Sequence, residues 1–326
     1  MKELNLEEYI IYLKKYRPFI LQHLEYCFIL AKTLKLDFIR NSIVTNSRFR
    51  TNQKVDLNQS VQYVQQFLKK IDKSWADNFS KMLQQKNCYI SFLNQCKEND
   101  SRSFVIWNPQ KNQIEIHLSL HQDVSDGKIL IHEFMHYENV NTHLSDSMLS
   151  EFSSFWIENQ YLQHYKDLDM NWFQSEKQNR YYNIMVMSSI CSDVFLLLLS
   201  NQKYGDTTYS HCQEIASSFD FSLDKEYFES SKRFIEFCLN HTKRFSEVDV
   251  TEAFNYVYSF VAYLLVKHKK VMDVQNVVQI NKKVREADSV QKKVTLLQID
   301  SEIWDLSFIQ SCFKEEIKSY RKQKSR

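Results

Sequence analysis

Glycine and proline are nearly missing from this chain, with two of each in 326 residues. Helix interiors exclude both residues and turns use both. That scarcity argues against a protein of many short, turn-linked strands and predicts one that is mainly α-helical. An excess of one charge is also lacking, since 42 Lys and Arg face 40 Asp and Glu. So even a balance gives no broad basic field for nucleic acid. The basic run from Lys318 to Lys324 reads as the solvated end of a helix. The seven cysteines include no C-x-x-C pair and are odd in number, which fits reduced thiols better than a disulfide framework. The first residues, Met1 to Asn5, hold no apolar stretch typical of an export signal, and a cytoplasmic protein is expected. The most apolar run, Ile184 to Leu199, carries Asp193 and three serines and is short for a membrane span. It is expected to be a buried helix, with no membrane partner.

What is present falls into three stretches. Leu6, Tyr9, Ile10 and Leu13 form an apolar helical stripe, Pro18 breaks it, and a second helix is expected from about Phe19 to Leu36. Residues 41–56 read as a polar connection. From Asn58 a long amphipathic helix is expected, with Val61, Val64, Leu68, Ile71, Trp75 and Met82 on one face. The period then shortens. Cys88 to Leu93 and Ser103 to Trp107 are β-type runs around the polar segment Asn94 to Arg102, and Ile114, Ile116, Leu118 and Leu120 alternate with Glu115, His117 and Ser119. A small sheet of about three strands should therefore precede residue 121. Ser125 and Asp126 suit a helix start, another helix should begin near Ser147, and the remainder reads as helix after helix with a turn at Tyr204-Gly205-Asp206. No repeat or clear linker divides the chain. It is expected to be one domain, 1–326, with N-terminal helices to 56, a core over 57–270 and C-terminal helices over 271–326.

The chemistry concentrates at Ile131-His132-Glu133-Phe134-Met135-His136, an H-E-x-x-H sequence. On a helix, residues four apart share a face, so His132 and His136 can bind one Zn2+ ion per chain while Glu133 stands beside it as a base for a metal-activated water. Chance would place this pattern in roughly 0.02 of chains of this length and composition. Its apolar flanks, Ile129, Leu130, Phe134 and Met135, bury the helix, and buried polar groups need partners. A catalytic zinc takes three protein ligands and keeps an open position. His143 is a candidate, but the pattern that uses a third histidine wants glycine and then histidine at set positions after His136, and Asn139 and Thr142 stand there. Glu138 is too close to fold back. Glu151 and Glu158, seven residues apart in an apolar helical stretch, lie on one face; one can bind metal while the other orients a ligand histidine.

With Glu151, Ser154 and Glu158 spaced as E-x-x-S-x-x-x-E after H-E-x-x-H, the chain resembles the thimet oligopeptidase and oligoendopeptidase F family of zinc peptidases, which are gluzincins. That resemblance, over about residues 55–270, implies a zincin-like helical fold, Glu151 as third ligand and Glu158 behind the ligands. Asp126 matches an acidic residue at the helix start and is expected to support the site as well. Asn255 to Val261 is similar to the family's tyrosine-rich segment, which implies Tyr258, or failing that Tyr256, as a hydrogen-bond donor to the oxyanion. The sequence departs from the family at Met135, where glycine is usual. It also has a shorter stretch after His136, lacks a histidine before the tyrosine segment, and is about half the family's length. The implied function is a zinc metalloendopeptidase that hydrolyses internal bonds of short or unfolded peptides. The alternative is an inactive, metal-stabilised peptide-binding or interaction protein.

Overall fold

In the computed structural model, the described residues are 6–40, 54–92, 103–108, 110–139, 148–167, 169–241, 250–273 and 276–324. The chain is mainly α-helical with one three-stranded sheet. Residues 41–53 of the expected connection, the polar segment 94–102, Ser147 and His143 lie outside the described residues.

The chain gathers into two compact units, each made of two segments. One joins Met1–Val44 to Tyr181–Tyr258, the other Thr45–Arg180 to Ser259–Arg326. Their limits fall inside two unbroken helices, Met170–Tyr204 and Val250–Lys269, so no glycine- or proline-rich linker marks them in the sequence. The first unit has an aromatic core in which Phe28 meets Phe219 and Phe221, Phe195 meets Phe254, and Phe38 meets Tyr181. Its N-terminal part departs from expectation. The second helix is interrupted, with Pro18–Gln22 and Leu24–Arg40 separated by a non-helical His23.

In the second unit, β1 (Cys88–Phe92), β2 (Phe104–Asn108) and β3 (Gln113–Leu120) pair in the order β1-β3-β2, with β3 parallel to β1 and antiparallel to β2. Alternation along β3 places Ile116, Leu118 and Leu120 in the core. That face packs on the helix Asp126–Asn139, whose Phe134 is also enclosed by Trp75 and Phe79. Those two residues come from the expected long amphipathic helix, which is in fact two, Leu57–Ile71 and Lys73–Leu83. Asp72 adopts an extended conformation between them, and its carboxylate accepts the Ser74 N–H at 2.7 Å. The apolar period continues across the break because both helices pack on Asp126–Asn139, which hides the break from a periodicity reading.

Both glycines have a steric reason. Gly205, at φ 76°, follows the end of Met170–Tyr204 in the left-handed conformation that suits glycine. At Gly127 a Cβ would fall 2.0 Å from the Tyr161 hydroxyl, so its absence lets the Phe152–Tyr165 helix approach Asp126–Asn139. Among the described residues, Met170–Tyr204 is one helix long and apolar enough to cross a membrane, and 61% of its apolar window is buried within the protein.

Candidate metal centre

The helix Asp126–Asn139 opens where β3 ends. Asp123 accepts the Ser125 N–H at 2.9 Å, and Asp126 accepts the N–H groups of His121 and Gln122 at 2.7 and 2.9 Å. Strand end and helix start are thereby pinned together. Asp126 serves this junction rather than a ligand histidine, a correction to the role expected for it. Burial pushes its carboxyl up to about 6, against the pull of those backbone N–H groups.

Two turns into the helix, His132 and His136 meet edge to face, with their Nε2 atoms 3.0 Å apart. Glu151 immediately precedes the helix Phe152–Tyr165, not inside it as the sequence suggested. Its Oε2 lies 3.5 Å from His132 Nε2 and its Oε1 3.3 Å from His136 Nε2. Seven residues on, Glu158 Oε1 accepts His132 Nδ1–H at 2.5 Å, which leaves Nε2 free of the proton in a neutral ring. Ser154 Oγ, between the two glutamates, donates to the His132 carbonyl at 3.4 Å. The three converging side chains keep 15–19% of their surface exposed, so the cluster is open to solvent on one side.

A cation suits this arrangement. Ligands held at about 2.0–2.1 Å around a tetrahedral ion stand about 3.3–3.4 Å from one another; the observed separations of 3.0, 3.3 and 3.5 Å bracket that edge. Glu133 Oε2 and Glu151 Oε2 are buried and accept no hydrogen bond among the described residues, the condition of groups whose partner is an ion or a water. Two imidazoles and one carboxylate form the donor set of a catalytic zinc site. His132, His136 and Glu151 are the metal-ligand cluster among the described residues.

The field around the cluster is set by burial and by a few charges. Burial raises the carboxyl of Glu133, partly offset by the two histidines, a displacement in the direction a general base requires. Burial also opposes the ionised form of Glu151, but His136 and then His132 outweigh it and hold the carboxyl below its ordinary value. For Glu158 burial is outweighed by Arg180, the His132 hydrogen bond and Lys128, and its carboxyl is held far below the usual range. Arg180 pairs directly with Glu158, and Lys128 with Glu176. These cationic supports escaped the sequence reading. Arg180 lies 22 residues beyond Glu158 with no pattern linking them, whereas Lys128 stands one turn before His132 on the same helix face, a signal that was legible.

The tyrosines expected to act on the oxyanion belong to the first unit. Tyr258 is fully buried there, its ring 5.3 Å from Phe19 and close to Phe254. Within that unit its ring is part of the core packing. Tyr256, on the same helix, is half-buried.

No family model and no curated protein matches the sequence. Two solved structures are similar to it at 13% identity and a TM-score of 0.48. One is a Bacillus anthracis str. Ames protein assigned to oligoendopeptidase F, aligned over 94% of this chain and 56% of its own. The other is a Chlamydophila abortus protein assigned as a peptidase, aligned over 91% and 55%. This chain thus spans about half the length of each.

Proposed function

We propose that this chain is a zinc metallopeptidase that hydrolyses internal bonds of short or unfolded peptides. The observation that carries the proposal is the triangle of His132, His136 and Glu151 at tetrahedral-edge distances, with Glu133 buried beside it. Bound zinc would supply a Lewis acid that acidifies a water and polarises the scissile carbonyl. Glu133 Oε2 accepts the proton of the attacking water and delivers it to the departing amine. Glu158 holds the Nδ1 proton of His132, which would leave Nε2 to the ion. A peptide in extended form suits an edge of the β1-β3-β2 sheet, where main-chain pairing tolerates many sequences and Tyr89, Ile90 and Ile106 stand exposed.

Peptide cleavage by the purified protein, measured with and without a chelator and restored by zinc, tests the reading. Chelator-insensitive cleavage would refute it. The second reading is a metal-stabilised protein that binds peptides without cutting them. Stoichiometric zinc with no turnover across a peptide library would select that one.

A further inference from the structure

Arg180 is buried, 6% exposed, and takes no part in the chemistry above. Its Nη2 pairs with Glu158 Oε2, and its guanidinium lies 5.5 Å over the Phe155 ring. The other oxygen of the same carboxylate receives His132 Nδ1–H at 2.5 Å. One carboxylate therefore joins a guanidinium to an imidazole through its two oxygens. Phe155 lies on the helix that carries Glu158, one turn before it, so the guanidinium is located by ring and carboxylate together. A second cation, Lys128, acts on Glu158 from one turn before His132 and is engaged by Glu176. That engagement leaves the Glu158 carboxylate to Arg180 and His132.

We propose that Arg180 is a positioning residue for the metal site. By holding Oε2 it fixes the plane of the Glu158 carboxylate, Oε1 then fixes the rotation of the His132 ring, and the ring aims Nε2 at the ion. The proposal rests on the zinc reading of His132, His136 and Glu151. It makes zinc affinity depend on a side chain two contacts away from the ion, through an orientation that a carboxylate with one free oxygen does not keep. Losing an outer partner of a ligand histidine typically costs about 10- to 100-fold in metal affinity. A lysine at 180 keeps the charge without the planar guanidinium that aligns a carboxylate.

Zinc affinity is measured on the full chain by competition with a chromophoric chelator. The proteins compared are wild type, Arg180→Met, Arg180→Lys, Glu158→Gln and the Glu158→Gln/Arg180→Met double variant. Arg180→Met should bind zinc about 10- to 100-fold more weakly, Arg180→Lys should fall between it and wild type, and the double variant should bind no more weakly than Glu158→Gln. That non-additivity is the mark of action through Glu158. Wild-type affinity in Arg180→Met overturns the proposal and leaves the zinc site standing. An equal further loss in the Glu158→Gln background also overturns it, since Arg180 would then act through the fold alone. If Arg180→Met does not fold, wild-type affinity in Arg180→Lys overturns it. A wild-type protein that binds no zinc removes both this proposal and the reading beneath it.

Discussion

Glu158 Oε1 sits 2.5 Å from His132 Nδ1, and this contact decides which nitrogen of His132 can serve an ion. A neutral imidazole carries one proton. With that proton committed to a carboxylate, the opposite nitrogen points, as a lone pair, at His136 and Glu151.

Glu133→Gln should leave zinc binding intact and lower peptide turnover by about 10²- to 10⁴-fold, the usual scale for loss of a general base. Steady-state kinetics on zinc-loaded protein check this. Turnover retained at the wild-type rate would remove Glu133 from the mechanism.

Zinc should raise the thermal midpoint of unfolding, because the ligand triangle exists only in the folded chain. At a free concentration one hundred times Kd the stabilisation is about 2.7 kcal/mol. His136→Ala should show no such rise. A calorimetric scan with and without zinc supplies the comparison, and an equal rise in His136→Ala would mean that the ion binds elsewhere.

Gly127→Ala should destabilise the protein, since the new Cβ would lie 2.0 Å from Tyr161 Oη and 2.8 Å from Tyr161 Cζ. Overpacking of this kind costs about 1–3 kcal/mol. Tyr161→Phe removes the nearer contact and keeps the second, so the double variant should recover part of the loss. Denaturant unfolding of the three variants measures it; additive losses would contradict the steric account.

Lys177 gives a pH signature. Burial depresses its pKa to about 8 from an ordinary 10.5, with Glu316 partly opposing. Between those values the unfolded chain binds more protons than the folded one, so stability rises with pH. The increment, about 3 kcal/mol, is complete above pH 10.5 and is lost as pH falls to about 8. Lys177→Met should be more stable than wild type at pH 7 and show a flatter profile from pH 8 to 10. Parallel profiles for the two proteins would contradict the shift.

The legible parts of the site were those set by local spacing. His136 follows His132 by four positions on one helix, which puts both on a shared face, and Glu158 follows Glu151 by seven, two turns along the helix that Glu151 immediately precedes. The alternation from Ile114 to Leu120 marked β3 for the same reason. What escaped depends on contacts between distant segments. The Glu158–Arg180 pair joins two helices with no shared pattern, and the backbone N–H groups that engage Asp126 come from the strand end before it. The helix break at Asp72 was masked because two amphipathic helices that bury faces against the same neighbour look continuous in period.

The helix that begins after Glu151 works as a ruler. Glu151, Ser154 and Glu158 reach His132 from three successive levels, at its Nε2, its carbonyl and its Nδ1. Inserting a single residue between positions 151 and 154 would rotate the later two levels by about 100° relative to the first. Ring, backbone and ion contacts would then fall out of register at once. Length changes in this segment should therefore be tolerated far less well than replacement of any one of its surface side chains.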